Sequence, residues 1–114
     1  MEQEKMCRAA TAAFSGHRFI DASQREYVKK RLSMAVLDAY GKGIRHFISG
    51  FAIGFDMMAA EVVVSLKHSH PEITLTAAIP FRGQASRFNY YDRKRYDRLL
   101  EVADEVIVLS ENYY

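Results

Sequence analysis

The sequence predicts an α/β domain of the doubly wound kind, with a Rossmann-like parallel sheet of about four strands in the order 3-2-1-4 and helices on both faces. Three observations carry this. Strand-like and helix-like patterns alternate along the whole chain. The strand segments are near-continuous apolar runs, such as "ATAAF" and "ITLTAAI", which is how strands covered on both faces read. Two of them end in a glycine, "FSG" and "ISG", and a helical pattern follows each, as in a strand–turn–helix crossover. No linker, repeat or low-complexity segment interrupts the 114 residues, so one domain spans 1–114.

The elements follow in order. Residues 10–16 read as a short buried strand ending in Gly16. Residues 21–43 read as a helix, opened by an S-x-x-E capping box of Ser23 and Glu26. Its apolar stripe is Val28, Leu32, Ala35, Val36 and Ala39, and Gly41 or Gly43 stops it. Residues 44–49 are the second strand, with His46 expected to be packed within it. Residues 55–70 are a largely buried helix closed by Pro71, and 73–79 are the third strand, closed by Pro80. A loop leads to a helix over 91–103 with Tyr96, Leu99, Leu100 and Ala103 facing inward, and 105–110 are the fourth strand. The switch point of the sheet then falls between the first and fourth strands, and ligands bind outside the carboxyl ends of such strands.

Composition narrows the function. A net charge of +2 excludes a heavily basic nucleic-acid protein, though not a local basic face. No apolar run approaches the roughly 20 residues of a membrane span. "MEQEKMCRAATAAF" lacks the basic start and long apolar core of a signal peptide. Cys7 is the only cysteine, so no internal disulfide forms, and a reducing, cytoplasmic setting fits. The four histidines form no metal-ligand pattern, and no metal or other cofactor is expected. His68 and His70 end a helix and suit its negative pole.

The carboxyl ends of the strands carry "SGHR", "SGFAIGFD", "PFRGQ" and "SENYY". Glycine turns let a backbone approach a ligand closely, and the helix after Gly54 aims its N–H groups at that edge, where they favour an anion such as phosphate. The G-x-x-x-G spacing of Gly50 and Gly54 is neither a dinucleotide fingerprint nor a P-loop, so the turn also reads as a tight crossover and nothing more. Asp56 reads as an N-cap, a ligand contact, or both. Glu61 lies in the apolar run "MMAAEVVVSL", where an unpaired carboxylate is costly. It either reaches a ligand or braces the "SGHR" loop, the plainer reading being a buried ion pair with Arg18 or His17. His17 and Arg18 follow the first glycine turn and are suited to phosphate, or belong to a solvated loop. The stretch 82–98 interleaves Arg and Lys with Tyr and Phe, as single-stranded nucleic-acid binders do, but Asp92 and Asp97 dilute its charge.

The turn from Ser49 to Asp56, S-G-x-A-x-G-x-D, resembles the strand–turn–helix motif of the SLOG superfamily, which includes YpsA-like proteins, the DNA-processing protein DprA and the LOG phosphoribohydrolases. "AAE" (59–61), "FSGHR" (14–18), "IPF" with Gln84 (79–84) and "ADEVIVLS" (103–110) are similar to the YpsA-like branch, and the five ordered motifs cover nearly the whole chain. The resemblance implies a Rossmann-like fold and a nucleotide or nucleotide-derived ligand at the glycine turns. Two features depart from it. Phe88 stands where many members have tryptophan, and the sequence holds no second, G-G-T-type turn and no P-G-G-x-G-T-x-x-E motif. LOG-type N-glycosidic hydrolysis is therefore not carried over.

The leading expectation is a binding module for a nucleotide or nucleotide sugar. Gly16, Gly50 and Gly54 would cradle phosphate, with His17 and Arg18 in support. Ser49 and Pro80 are also expected among the ligand-binding residues, and Asp56, Glu61 or Gln84 would bond ribose or base. The alternatives are a nucleotide-processing hydrolase with Glu61 as the acid/base candidate, and a DprA-like single-stranded DNA binder using 82–98. A homodimer is also expected, because "EVIVLS" is left as an exposed sheet edge; no membrane partner is.

Overall fold

The computed structural model of the chain describes residues 11–14 and 22–110. It consists of strand β1 (Thr11–Phe14), helix α1 (Arg25–Gly41), β2 (His46–Ser49), α2 (Phe55–Lys67), β3 (Thr74–Ile79), α3 (Tyr90–Val102) and β4 (Glu105–Val108). Single-turn 3₁₀ segments occupy Ala22–Gln24 and Gln84–Arg87. The domain is α/β with a parallel sheet, and alternation along the sequence maps directly onto it.

The strand order is β1-β2-β3-β4, all neighbours parallel, which corrects the expected 3-2-1-4. What fixes β4 on β3 is a set of bonds at both ends. Asp104 donates its N–H to Leu75 O (2.9 Å), and its carboxylate accepts the Leu75 N–H (2.8 Å). Lys67 reaches from the end of α2 to pair with that same carboxylate. At the other end Leu109 N–H donates to Ile79 O (2.8 Å) and Arg82 N–H to Ser110 O (3.2 Å). β1 and β4 therefore stand at opposite edges, and the described sheet has no switch point between them.

A sequential order also moves the helices. Right-handed crossovers that all step the same way place every helix on one face. Accordingly α1 packs on α2, α2 packs on α3, and α2 lies on β2 and β3. Phe47, Ser49, Leu75, Ala77 and Ile79 are buried beneath them, whereas Ile48, Thr74, Thr76 and Ala78, which point the other way, are only half-buried. Helices on both faces are thus not what the described residues form. His46, expected to be packed, is exposed on the opposite face and bonds across the sheet from Nδ1 to Thr74 Oγ1 (2.6 Å).

The helices follow their apolar spacing. On α1, Leu32 and Val36 are buried, with Val28 and Ala39 packed beside them; Ala35, a step of about 100° from Val36, is exposed. The helix starts at Arg25, after the 3₁₀ turn that contains Ser23, and its N-cap Gln24 makes no side-chain cap bond. Gly43 (φ +99°) turns the chain out of it. In α2, Met57 to Ala60, Val62 and Val63 are buried and form the centre of the core with Phe47, Phe51, Ile73 and Leu75. α3 is capped by Asn89, whose side chain accepts the Asp92 N–H (2.8 Å). It buries Tyr96 and Leu99. No helix among the described residues is long and apolar enough to cross a membrane.

Candidate functional site

β2 ends at Ser49, and the next residues turn sharply into α2. Gly54 is the N-cap, at φ 93° and ψ −122°, a region open to glycine alone. Phe51 has φ 61° with its ring fully buried, a conformation that costs a non-glycine residue about 1–3 kcal/mol. The surroundings hold it there. The ring meets Tyr96 edge-on at 5.9 Å. The Phe51 N–H donates to Ser49 Oγ (3.2 Å), and Ser49 Oγ donates to Asp56 O (3.0 Å). On the other side of the same peptide unit, Gly50 O accepts from Gln84 Nε2 (3.0 Å). Gln84 Oε1 in turn accepts from Tyr96 OH (3.3 Å). Ser49, Gly50 and Gln84 are therefore brought together, and Gln84 acts there as a clamp between the turn and α3. Pro80 directly follows β3 on the same edge of the sheet.

The space at Gly50 has an occupant within the fold. A Cβ there would lie 3.3 Å from Asp56 Oδ2 and 3.8 Å from Ala78 O. The room expected for a ligand at Gly50 is thus taken by the Asp56 carboxyl group. Asp56 is not the N-cap; it sits in the first turn of α2. Its Oδ1 is shielded from solvent and has no hydrogen-bond partner among the described residues. Burial pushes its pKa up from the ordinary carboxylate value, against a backbone hydrogen bond from Ala52 that lowers it.

Glu61 is bonded to α3. Arg95 grips it as a fork, Nη2 to Oε1 at 2.6 Å and Nε to Oε2 at 3.0 Å, and adds a bond from Nη1 to Asp92 Oδ1 at 3.2 Å. The guanidinium side chain is 14% exposed and the Glu61 side chain 38%. Among the described residues the partner of Glu61 is Arg95 of α3, and the expected pairing with Arg18 or His17 lies outside them. Gly16, His17, Arg18 and Cys7 lie outside the described residues.

Along the mixed stretch 82–98, Arg93 pairs with Asp97 (3.4 Å) and Arg95 with Asp92 and Glu61, so two of its six Lys and Arg side chains are paired this way. His70 stands edge-on to Tyr40 (4.6 Å) with Nδ1 3.3 Å from Leu66 O at the end of α2. Among the described residues no group of three His, Cys, Asp or Glu could hold a metal ion. Arg95, Tyr96 and the backbone of Phe51 were not expected at the site. Arginine and tyrosine at inward helical positions of 91–103 were the available signal for the first two; a positive φ at phenylalanine leaves none.

The described residues thus form an α/β domain with a parallel sheet, in which a glycine-capped helix opens at the carboxyl edge after β2. The chain belongs to the YpsA family, described as the YspA SLOG family, whose profile matches residues 18–114. Similar proteins include UPF0398 protein BH1768 of Halalkalibacterium halodurans, 35% identical over 88 residues that make up 77% of this chain and 47% of that protein. UPF0398 protein SSP1297 of Staphylococcus saprophyticus is 28% identical over 94 residues, 82% of this chain and 50% of its own length. The SPbeta prophage-derived protein YoqJ of Bacillus subtilis is 40% identical over 65 residues, 57% and 38% respectively. The chain spans about half the length of the curated UPF0398 relatives it matches.

Proposed function

We infer that the domain is a binding module for a nucleotide or nucleotide-derived ligand, seated at the β2–α2 turn on the carboxyl edge of the sheet. The observation that carries this reading is Asp56, whose shielded Oδ1 lacks a partner beside a turn held in unfavourable backbone geometry. A buried carboxyl oxygen without a donor is costly, and a sugar hydroxyl is a donor of suitable size. Phosphate would be favoured by the positive end of the α2 dipole, with Gly16, His17 and Arg18 in support. Membership of the SLOG family favours the same ligand class. A cytoplasmic setting and a homodimer paired along the β4 edge belong to this reading, the second because Ile107 and Leu109 are 41% and 64% exposed there.

Thermal melts against nucleoside monophosphates, diphosphates and nucleotide sugars test it, with inorganic phosphate and free nucleosides as controls. A binding nucleotide at 100 times its Kd should add about 2.7 kcal/mol. Gly54→Val should remove that gain, and Asp56→Asn should weaken nucleotides more than inorganic phosphate. The reading fails if no nucleotide moves the melting temperature.

A further inference from the structure

A concavity lies between α2 and α3, with a volume of about 360 Å³. Its floor is apolar: Val64, Leu99 and Val102. Its rim is formed by Tyr91, Lys94 and Arg98, all exposed. The Glu61–Arg95 fork closes one wall, and because Arg95 also bonds Asp92 that group carries one net negative charge. Lys94 and Arg98 are different. Neither makes an ion pair among the described residues, and the Lys94 ammonium lies 5.3 Å from the Tyr90 ring centre. With Asp92 counted, the groove carries one net positive charge, presented by the unpaired Lys94 and Arg98 beside exposed apolar surface that includes Val102.

Each part selects a chemistry. Covering Val64, Leu99 and Val102 releases water from apolar surface, which rewards an apolar body. Arg98 and Lys94 reward an anionic head, and arginine binds carboxylates and related oxyanions through two parallel bonds. The volume lies at the small end of ligand pockets, room for one acyl chain or fused ring. We propose that the α2–α3 groove is a binding site for a free amphipathic organic anion, its apolar body on Val64, Leu99 and Val102 and its head on Arg98 and Lys94. Glu61 and Arg95 act as the fixed wall that ties the two helices together beside the site.

The probe is 8-anilinonaphthalene-1-sulfonate, titrated by fluorescence onto the folded chain, with laurate and acetate as competitors. One site is expected, displaced by laurate and not by acetate. Arg98→Glu and Val102→Asp, both at exposed positions, should each weaken the probe by about tenfold or more while far-ultraviolet circular dichroism and melting stay close to the parent. Ile107→Lys, on the apolar β4 edge, should leave the affinity unchanged. The uncharged probe N-phenyl-1-naphthylamine should lose affinity in Val102→Asp but not in Arg98→Glu. The proposal is overturned if the folded parent does not bind the sulfonate probe, if Arg98→Glu binds it like the parent, or if Ile107→Lys abolishes binding. Because neither probe is a nucleotide, this result is independent of the β2–α2 turn.

Discussion

Asp56 and Glu61 lie on neighbouring turns of one helix and have opposite surroundings. Glu61 stands among methionines, alanines and valines, yet both its oxygens are held by one guanidinium. Asp56 stands at the exposed-looking start of the helix beside a glycine, yet it has a shielded oxygen with no donor. Local polarity along the chain thus says little about compensation. An acid in an apolar run is safe when another helix brings it an arginine, and an acid at a helix entrance is strained when the turn folds over it.

Breaking the Glu61 side should have the largest effect. Arg95→Met removes the shared partner of Glu61 and Asp92 and should cost about 2–4 kcal/mol in urea unfolding. Glu61→Gln should cost less, and the double variant should fall well short of the sum, because the two residues form one unit. Full additivity would show that the fork contributes nothing specific.

The Asp56 side is sharpened by pH. Its folded pKa is raised above 3.8, chiefly by burial, so the folded state binds the proton more tightly than the unfolded one. That stabilisation is complete below the ordinary carboxylate pKa and is lost as pH rises through the folded value. Asp56→Asn lacks this dependence, so its melting temperature should improve relative to the parent between about pH 3 and pH 7. Asp104 supplies the opposite slope. Burial raises its pKa, but the Lys67 hydrogen bond and the Leu75 N–H outweigh this and lower it, so its contribution is lost as pH falls. Asp104→Asn should therefore lose ground to the parent as pH rises over the same range. Parallel slopes for the two variants would refute the contrast.

The smallest effect concerns the space between Gly50 and Asp56. A Cβ at Gly50 falls 3.3 Å from Asp56 Oδ2, so Gly50→Ala should displace the carboxylate by a few tenths of an ångström and cost about 1 kcal/mol or less. In an Asp56→Ala background the same change should cost nothing measurable. An equal cost in both backgrounds would place the clash elsewhere.

The elements were legible because their signals are local. Apolar spacing located α1, α2, α3 and the strands to within a few residues, and the glycine requirement at Gly54 is written in the motif itself. Strand order was not legible, since it rests on backbone bonds between Asp104 and Leu75 and between Leu109 and Ile79 that no periodicity announces. Gln84 was legible as a residue near the site, but its amide bonds the chain itself through Gly50 and Tyr96. The Glu61–Arg95 fork joins residues 34 apart, and a long-range pair of that kind leaves one half visible as an anomaly and the other as an ordinary surface charge.

The sequential sheet has a consequence for how the chain assembles. Thr11 meets His46, His46 meets Thr74 and Thr76 meets Glu105, so among the described strands each finds its neighbour only about thirty residues further on, and none of the four is inserted between two earlier ones. Order of synthesis and order in space coincide. Each newly made strand–helix unit can settle against the one before it, so the domain can grow from its amino-terminal strand during translation without undoing a pairing already made.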